Sequence, residues 1–178
     1  MKIGVFSDSH GNLENLKEAG KWLLEKEKVE IFIHLGDDSD DAKILESFGK
    51  KIIKVPGVFE ALYQNPEISN RLIETFNGKK VLISHTEKVH ENDPPPELKK
   101  LINPEKVIAK KEVDIALVGH SHIPKIEDRE GVLILNPGHL KEKDKKGYLP
   151  SFGLIDFEKK LAKVINLEKK VIFIQKNF

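Results

Sequence analysis

The 178-residue sequence predicts an α/β fold: two packed, mixed β-sheets flanked by helices, an αββα sandwich. Two observations lead there. The first half alternates short apolar runs with helix-periodic stretches, the pattern of parallel strands joined by crossover helices. The second half carries hairpin signals and closely spaced strands, the pattern of antiparallel pairing. No repeat, linker or shift in composition interrupts the chain, so residues 1–178 are expected to form one domain.

Lys2 to Ser7 reads as a short buried strand. Leu13, Leu16, Gly20, Leu23 and Leu24 then recur at helical spacing, with Asn12 as the N-cap. Glu30 to Leu35 is a second strand, Asp41 to Phe48 a short helix ending at Gly49, and Lys51 to Val55 a third strand stopped by Pro56-Gly57. Arg71 to Phe76 and Lys79 to Ser84 flank Asn77-Gly78, a pair suited to positive φ and therefore to a tight hairpin. Glu97 to Lys111 is expected to be a helix after three consecutive prolines, and Val113 to Val118 a buried strand. Lys125 to Asp128 and Val132 to Leu135 make a second hairpin around Glu130-Gly131. Phe152 to Phe157, Lys163 to Leu167 and Val171 to Ile174 close the chain as antiparallel strands.

Composition narrows the function. Thirty Lys and Arg against twenty-nine Asp and Glu give no electrostatic case for nucleic acid or an acidic membrane surface. With no cysteine there is neither a disulfide framework nor a thiolate metal site, so any transition metal must be held by His and carboxylate. No apolar run approaches the ~20 residues that span a bilayer, and the N-terminus carries no leader pattern, so a cytoplasmic protein is expected. Charge carried mostly by Lys and Glu, with only Arg71 and Arg129 as arginines, points to a thermophile. Homo-oligomerisation stays open.

Four polar motifs each follow a predicted strand: Asp8-Ser9-His10, Gly36-Asp37-Asp38, His85, and Gly119-His120-Ser121-His122. In an extended chain, residues two apart point to the same side, so Asp8 with His10, and His120 with His122, can converge on one ion. Loops at strand ends are where α/β sheets place their sites. One Asp-x-His alone is ordinarily a turn with a satisfied histidine; four motifs in this order, each after a strand, turn the expectation to a metal site. Mixed His and Asp ligands suit Mn, Fe, Zn, Co or Ni without selecting among them.

In this order the motifs resemble the signature of calcineurin-like metallophosphoesterases, and most of all their small bacterial and archaeal phosphodiesterases. Asn136-Pro137-Gly138 resembles a further family motif, so the likeness runs from Lys2 to about Phe157. The resemblance implies that Asp8, His10, Asp37 and His122 hold one divalent ion and that Asp37, His85 and His120 hold a second, with Asp37 bridging. It also implies a phosphodiesterase acting on a small phosphoester through a metal-bound hydroxide, with Asp37, His85 and His120 as catalytic residues.

The sequence departs from the family where a Gly-Asn followed by His-Glu or Cys-Asp is usual: here stands Gly57-Val58-Phe59-Glu60. Valine has no lone pair to offer the second ion, and Phe59 replaces a candidate general acid. The first ion is therefore expected to bind and the second to bind more weakly, and good leaving groups should be favoured. Thr86 stands where Gly is usual, and His139 where Ser is usual. These departures leave a second reading, a binding module with a degraded site, resembling the retromer subunit of this fold.

Other polar residues have plainer readings. His34, inside an apolar strand, reads as a hydrogen-bonded core histidine, and His90 as an exposed loop residue. His139 reads as a solvated loop histidine beside the charge run Lys141 to Lys146, with an inward role as ligand or proton donor as the alternative. Asp38, Asp40 and Asp41 sit where acids favour a helix start, Glu60 keeps an acid behind the site, and Trp22 lies on or beside the packed face of the first helix.

Overall fold

Side-chain alternation along the first strand, β1 (Lys2–Phe6), sets the layering in the computed structural model, which describes residues 1–178. Ile3 and Val5 face one way and Phe6 the other, and both faces are buried. β1 pairs in parallel with β2 (Ile31–His34), which pairs in parallel with β3 (Lys51–Lys54). Next come β4 (Arg71–Phe76), β5 (Lys79–Ser84), β6 (Ile115–Leu117), β7 (Lys125–Arg129) and β8 (Val132–Asn136). The chain ends with β9 (Ser151–Asp156), β10 (Leu161–Asn166) and β11 (Ile172–Asn177). One sheet runs β11-β10-β9-β1-β2-β3 and the other β4-β5-β6-β8-β7. Both are mixed, as expected: β9 is antiparallel to β1, while β6 is parallel to β5 and β8.

The main core lies between the sheets, where Ile3, Val5, Ile33 and Leu35 of one meet Val81, Ile83, Leu117 and Leu135 of the other. The alternate residues face outward into two smaller clusters. Phe6, Phe32 and Leu154 lie under the first helix, α1 (Leu13–Trp22), and Leu82, Ala116 and Ile134 under the second, α2 (Pro104–Ala109). Asn12 caps α1 by accepting the Asn15 N–H at 3.0 Å. Trp22 packs its edge on Phe152 in the same outer cluster. Both hairpin turns have positive φ at both central residues, Asn77-Gly78 and Glu130-Gly131, as their sequences demand.

The helices differ from expectation in three places. α1 continues as a π-turn over Leu23–Glu27 before Lys28 turns left-handed. The Asp41 to Phe48 helix is a 3-10 helix over Ser39–Phe48, ending at Gly49 in the left-handed conformation. Its Asp41 sits in the first turn as expected, and its carboxylate also accepts from Ser9 Oγ at 2.7 Å and from the Gly11 N–H at 2.8 Å. The helix expected from Glu97 to Lys111 shrinks to α2. Pro104 offers no N–H and disfavours helical backbone in the residue before it, so the helix begins at Pro104 with Asn103 as its cap. No helix is long and apolar enough to cross a membrane.

Candidate metal centre

β1 and β2 run parallel, as do β5 and β6, so each pair delivers its following loop to one end of its sheet. Asp8 and His10 follow β1, Asp37 follows β2, His85 follows β5, and His120 and His122 follow β6. All six predicted ligands meet there. They fall into two groups whose donor atoms lie within 4.8 Å of one another: Asp8, His10, Asp37 and His122, and Asp37, His85 and His120. Asp37 belongs to both.

Five of the six hold their side chains through an unusual backbone. Asp8, His10, Asp37, His120 and His122 all have φ between 47° and 64°. Left-handed backbone costs an ordinary residue roughly 1–2 kcal/mol, and such strain gathers where it serves function. Two glycines let the loops approach. A Cβ on Gly57 would collide with the Asp37 carboxylate and lie 2.5 Å from the Asp37 backbone nitrogen. A Cβ on Gly119 would collide with Ser7 Oγ and come within 2.9 Å of Asp8 Oδ2.

Hydrogen bonds fix the tautomers of two of the rings, His85 and His122. His85 Nδ1 lies 2.8 Å from the Leu35 carbonyl oxygen, which can only accept, so Nδ1 carries the proton and Nε2 the lone pair. That lone pair lies 3.3 Å from Asp37 Oδ1 and 3.2 Å from His120 Nδ1. His122 Nδ1 donates in the same way to Asp144 Oδ1 at 2.7 Å, which directs Nε2 to within 3.2 Å of both Asp8 Oδ1 and His10 Nε2. His10 Nε2 is 3.6 Å from Asp37 Oδ2. Asp8 Oδ2 accepts the His120 backbone N–H at 3.0 Å, whereas Asp8 Oδ1 is buried without a hydrogen-bond partner. With those tautomers, the Nε2 lone pairs of His85 and His122 face carboxylate oxygens of Asp37 and Asp8, contacts that a cation between them would turn from repulsive to attractive, and the two donor sets suit divalent ions.

The electrostatics agree. Burial alone would raise Asp8, but the histidines beside it, His122 foremost, outweigh burial and hold its carboxyl at about 2. The carboxylates of Asp8 and Asp144 on either side of its ring raise His122 against its burial. Burial raises Asp37, and burial with the neighbouring His85 pulls His120 down to about 4. Two recesses open on either side of His10. One of about 600 Å³ is lined by Gly11, Asn12, Lys141 and Lys143 among others, and a smaller one of about 180 Å³ by Asp37, Asp38, Phe59 and Glu60.

The profile of the calcineurin-like phosphoesterase superfamily domain matches residues 1–160. The chain belongs to this superfamily. It is 27% identical to a phosphodiesterase of Methanocaldococcus jannaschii over 94% of this chain and 100% of the relative. The solved structure of an archaeal phosphodiesterase is similar at 28% identity, with a TM-score of 0.72, over 93% of this chain and 99% of that one. A phosphoesterase of E. coli has the same fold at 20% identity and a TM-score of 0.70, over 99% of this chain and 98% of that one.

Within this calcineurin-like fold, several residues sit elsewhere than their sequence suggested. His139 is fully buried rather than solvated: Nε2 donates to the Tyr148 carbonyl at 3.0 Å, and its ring lies 5.5 Å from that of His122. The cause is β9, whose Ser151 N–H bonds the His139 carbonyl and draws the loop inward. His90 is half-buried, its ring 5.3 Å from that of His120. Glu60 accepts from the Gly57 N–H at 2.6 Å and from Ser39 Oγ at 2.6 Å, tying the Gly57 turn to the Asp37 loop. His34 is the core histidine expected, fully buried and bonded to Ser9 Oγ and the Gly36 N–H. Asp144 escaped sequence reading because it lies inside a run of exposed lysines, with no local signal that it reaches His122.

Proposed function

We propose that the protein is a metal-dependent phosphodiesterase. Asp8, His10, Asp37 and His122 would hold one divalent ion, and Asp37, His85 and His120 a second. Such ions polarise a phosphoryl oxygen and make bound water acidic near neutral pH. The chain's own residues keep the site in order. Leu35 and Asp144 fix which nitrogen of His85 and His122 faces inward. Asp37, shared by both groups, couples the two positions. His10 is the exposed member at the rim, between the two recesses. With Phe59 in place of a proton donor, the site favours esters whose leaving group needs little protonation.

The observation that carries this reading is the pair of converging lone-pair sets around Asp37. An abandoned site would have no reason to keep four imidazoles and two carboxylates gathered with their donor atoms facing one another, which weighs against a purely scaffolding role. The test is to measure metal bound per chain and hydrolysis of a bis-aryl phosphodiester with added Mn or Ni. The expected result is at least one ion per chain and hydrolysis abolished in Asp37→Ala. A protein that binds no divalent ion, or hydrolyses the diester equally well in that variant, would refute the proposal.

A further inference from the structure

Two departures from the family pattern, Phe59 and Thr86, form one built structure with the loop carrying His90, beside the second donor group. Phe59 is 70% exposed, yet its place is determined. Its turn is tied down by Glu60 through the Gly57 N–H and by Asn92, whose side chain donates to the Val58 carbonyl at 3.2 Å. Its ring stands perpendicular to that of His90, with centroids 5.7 Å apart at 87°, and lies 6.1 Å from that of His120.

The His90 loop is held from beneath by a buried ion pair. Arg71, its side chain 1% exposed, donates to both oxygens of Asp93 at 2.8 and 2.9 Å. Tyr63 donates to Asp93 at 2.6 Å, and Arg71 donates to Thr86 Oγ1 at 3.3 Å. Asp93 in turn accepts the His90 backbone N–H at 3.3 Å. A buried charge pair adds little net stability because desolvation offsets attraction, so its use under a surface loop argues for position. What it positions is His90, whose ring stands nearly perpendicular to both Phe59 and His120.

Resting on the phosphodiesterase reading, we infer that Phe59, propped by His90, is the wall against which a planar aromatic group esterified to the phosphate stacks. The chemistry follows from the ring. An exposed aromatic face beside a phosphate site gains from a second aromatic ring and gains much less from a small alkyl group. Phe59 is thus a specificity-determining residue rather than a defect left by a missing acid.

The test is calorimetric titration of the metal-loaded protein with phenylphosphonate and methylphosphonate. The wild type should prefer the phenyl compound by about 3–10-fold, the worth of one aromatic pair. Phe59→Ala and Phe59→Leu should both reduce the preference to near parity, Phe59→Trp should keep it, and His90→Ala should lower it. Phe59→Leu keeps apolar bulk at an exposed position, so a loss there cannot be assigned to misfolding. A wild type without phenyl preference, or the same preference in Phe59→Leu, would overturn this inference alone. Binding of neither phosphonate would overturn the phosphodiesterase reading and this inference with it.

Discussion

His34 makes the protein sensitive to acid in a way that can be worked out from its surroundings. The ring is fully buried, accepts the Gly36 N–H at 3.3 Å, and lies 3.1 Å from Ser9 Oγ, whose hydroxyl donates to Asp41. This bonding suits a neutral imidazole. Burial pulls its pKa from 6.5 down to about 4, against the opposing pull of Asp8 and Asp41. Above pH ~6.5, neither folded nor unfolded chain protonates it; below, the unfolded chain takes up a proton that the folded chain refuses. Stability is therefore full above pH ~6.5 and drains away as the pH falls toward 4. At about 1.4 kcal/mol per pH unit, the loss reaches about 2 kcal/mol by pH 5 and about 3 kcal/mol below pH 4. The assay is urea unfolding at pH 8 and pH 5 with a chelator present, comparing wild type with His34→Asn. The asparagine keeps a side-chain acceptor but cannot titrate. His120, also held at about 4, and the carboxylates are common to both proteins and cancel in the difference. The wild type should lose about 2 kcal/mol more than the variant. Equal losses in both would refute the reasoning.

Two further expectations concern the metal centre. Asp144→Ala removes the carboxylate that orients His122, and should weaken divalent-ion binding about 10–100-fold in a competition titration with a chelator, while far-UV circular dichroism stays unchanged; undiminished affinity would show that the His122 ring is held without it. Val58→Asn adds a carbonyl oxygen to the turn beside Asp37, and should tighten the second ion and raise diester hydrolysis. An unchanged metal count and rate in that variant would show that the missing oxygen does not limit the second position.

Much of this protein was written in local pattern. Period-two alternation in Ile3, Val5, Ile33 and Val81 is enough to place strands and their inner faces, because a strand's side chains point by turns to opposite sides. Asn12 and the turns Asn77-Gly78 and Glu130-Gly131 act on their immediate neighbours, so residue type alone announces them. The six candidate ligands were legible for the same reason, each group standing one to five residues past an apolar run. Pro104 was legible too, but the helix expected from Glu97 ignored it. Tertiary structure decided the rest. That His139 is buried, that Asp144 reaches His122, and that Arg71 grips Asp93 to set His90 beside Phe59 all depend on segments far apart in the chain. A lone charged or aromatic residue in a loop carries no periodicity, and its partner is chosen only when the two sheets pack and bring their loops to a common edge.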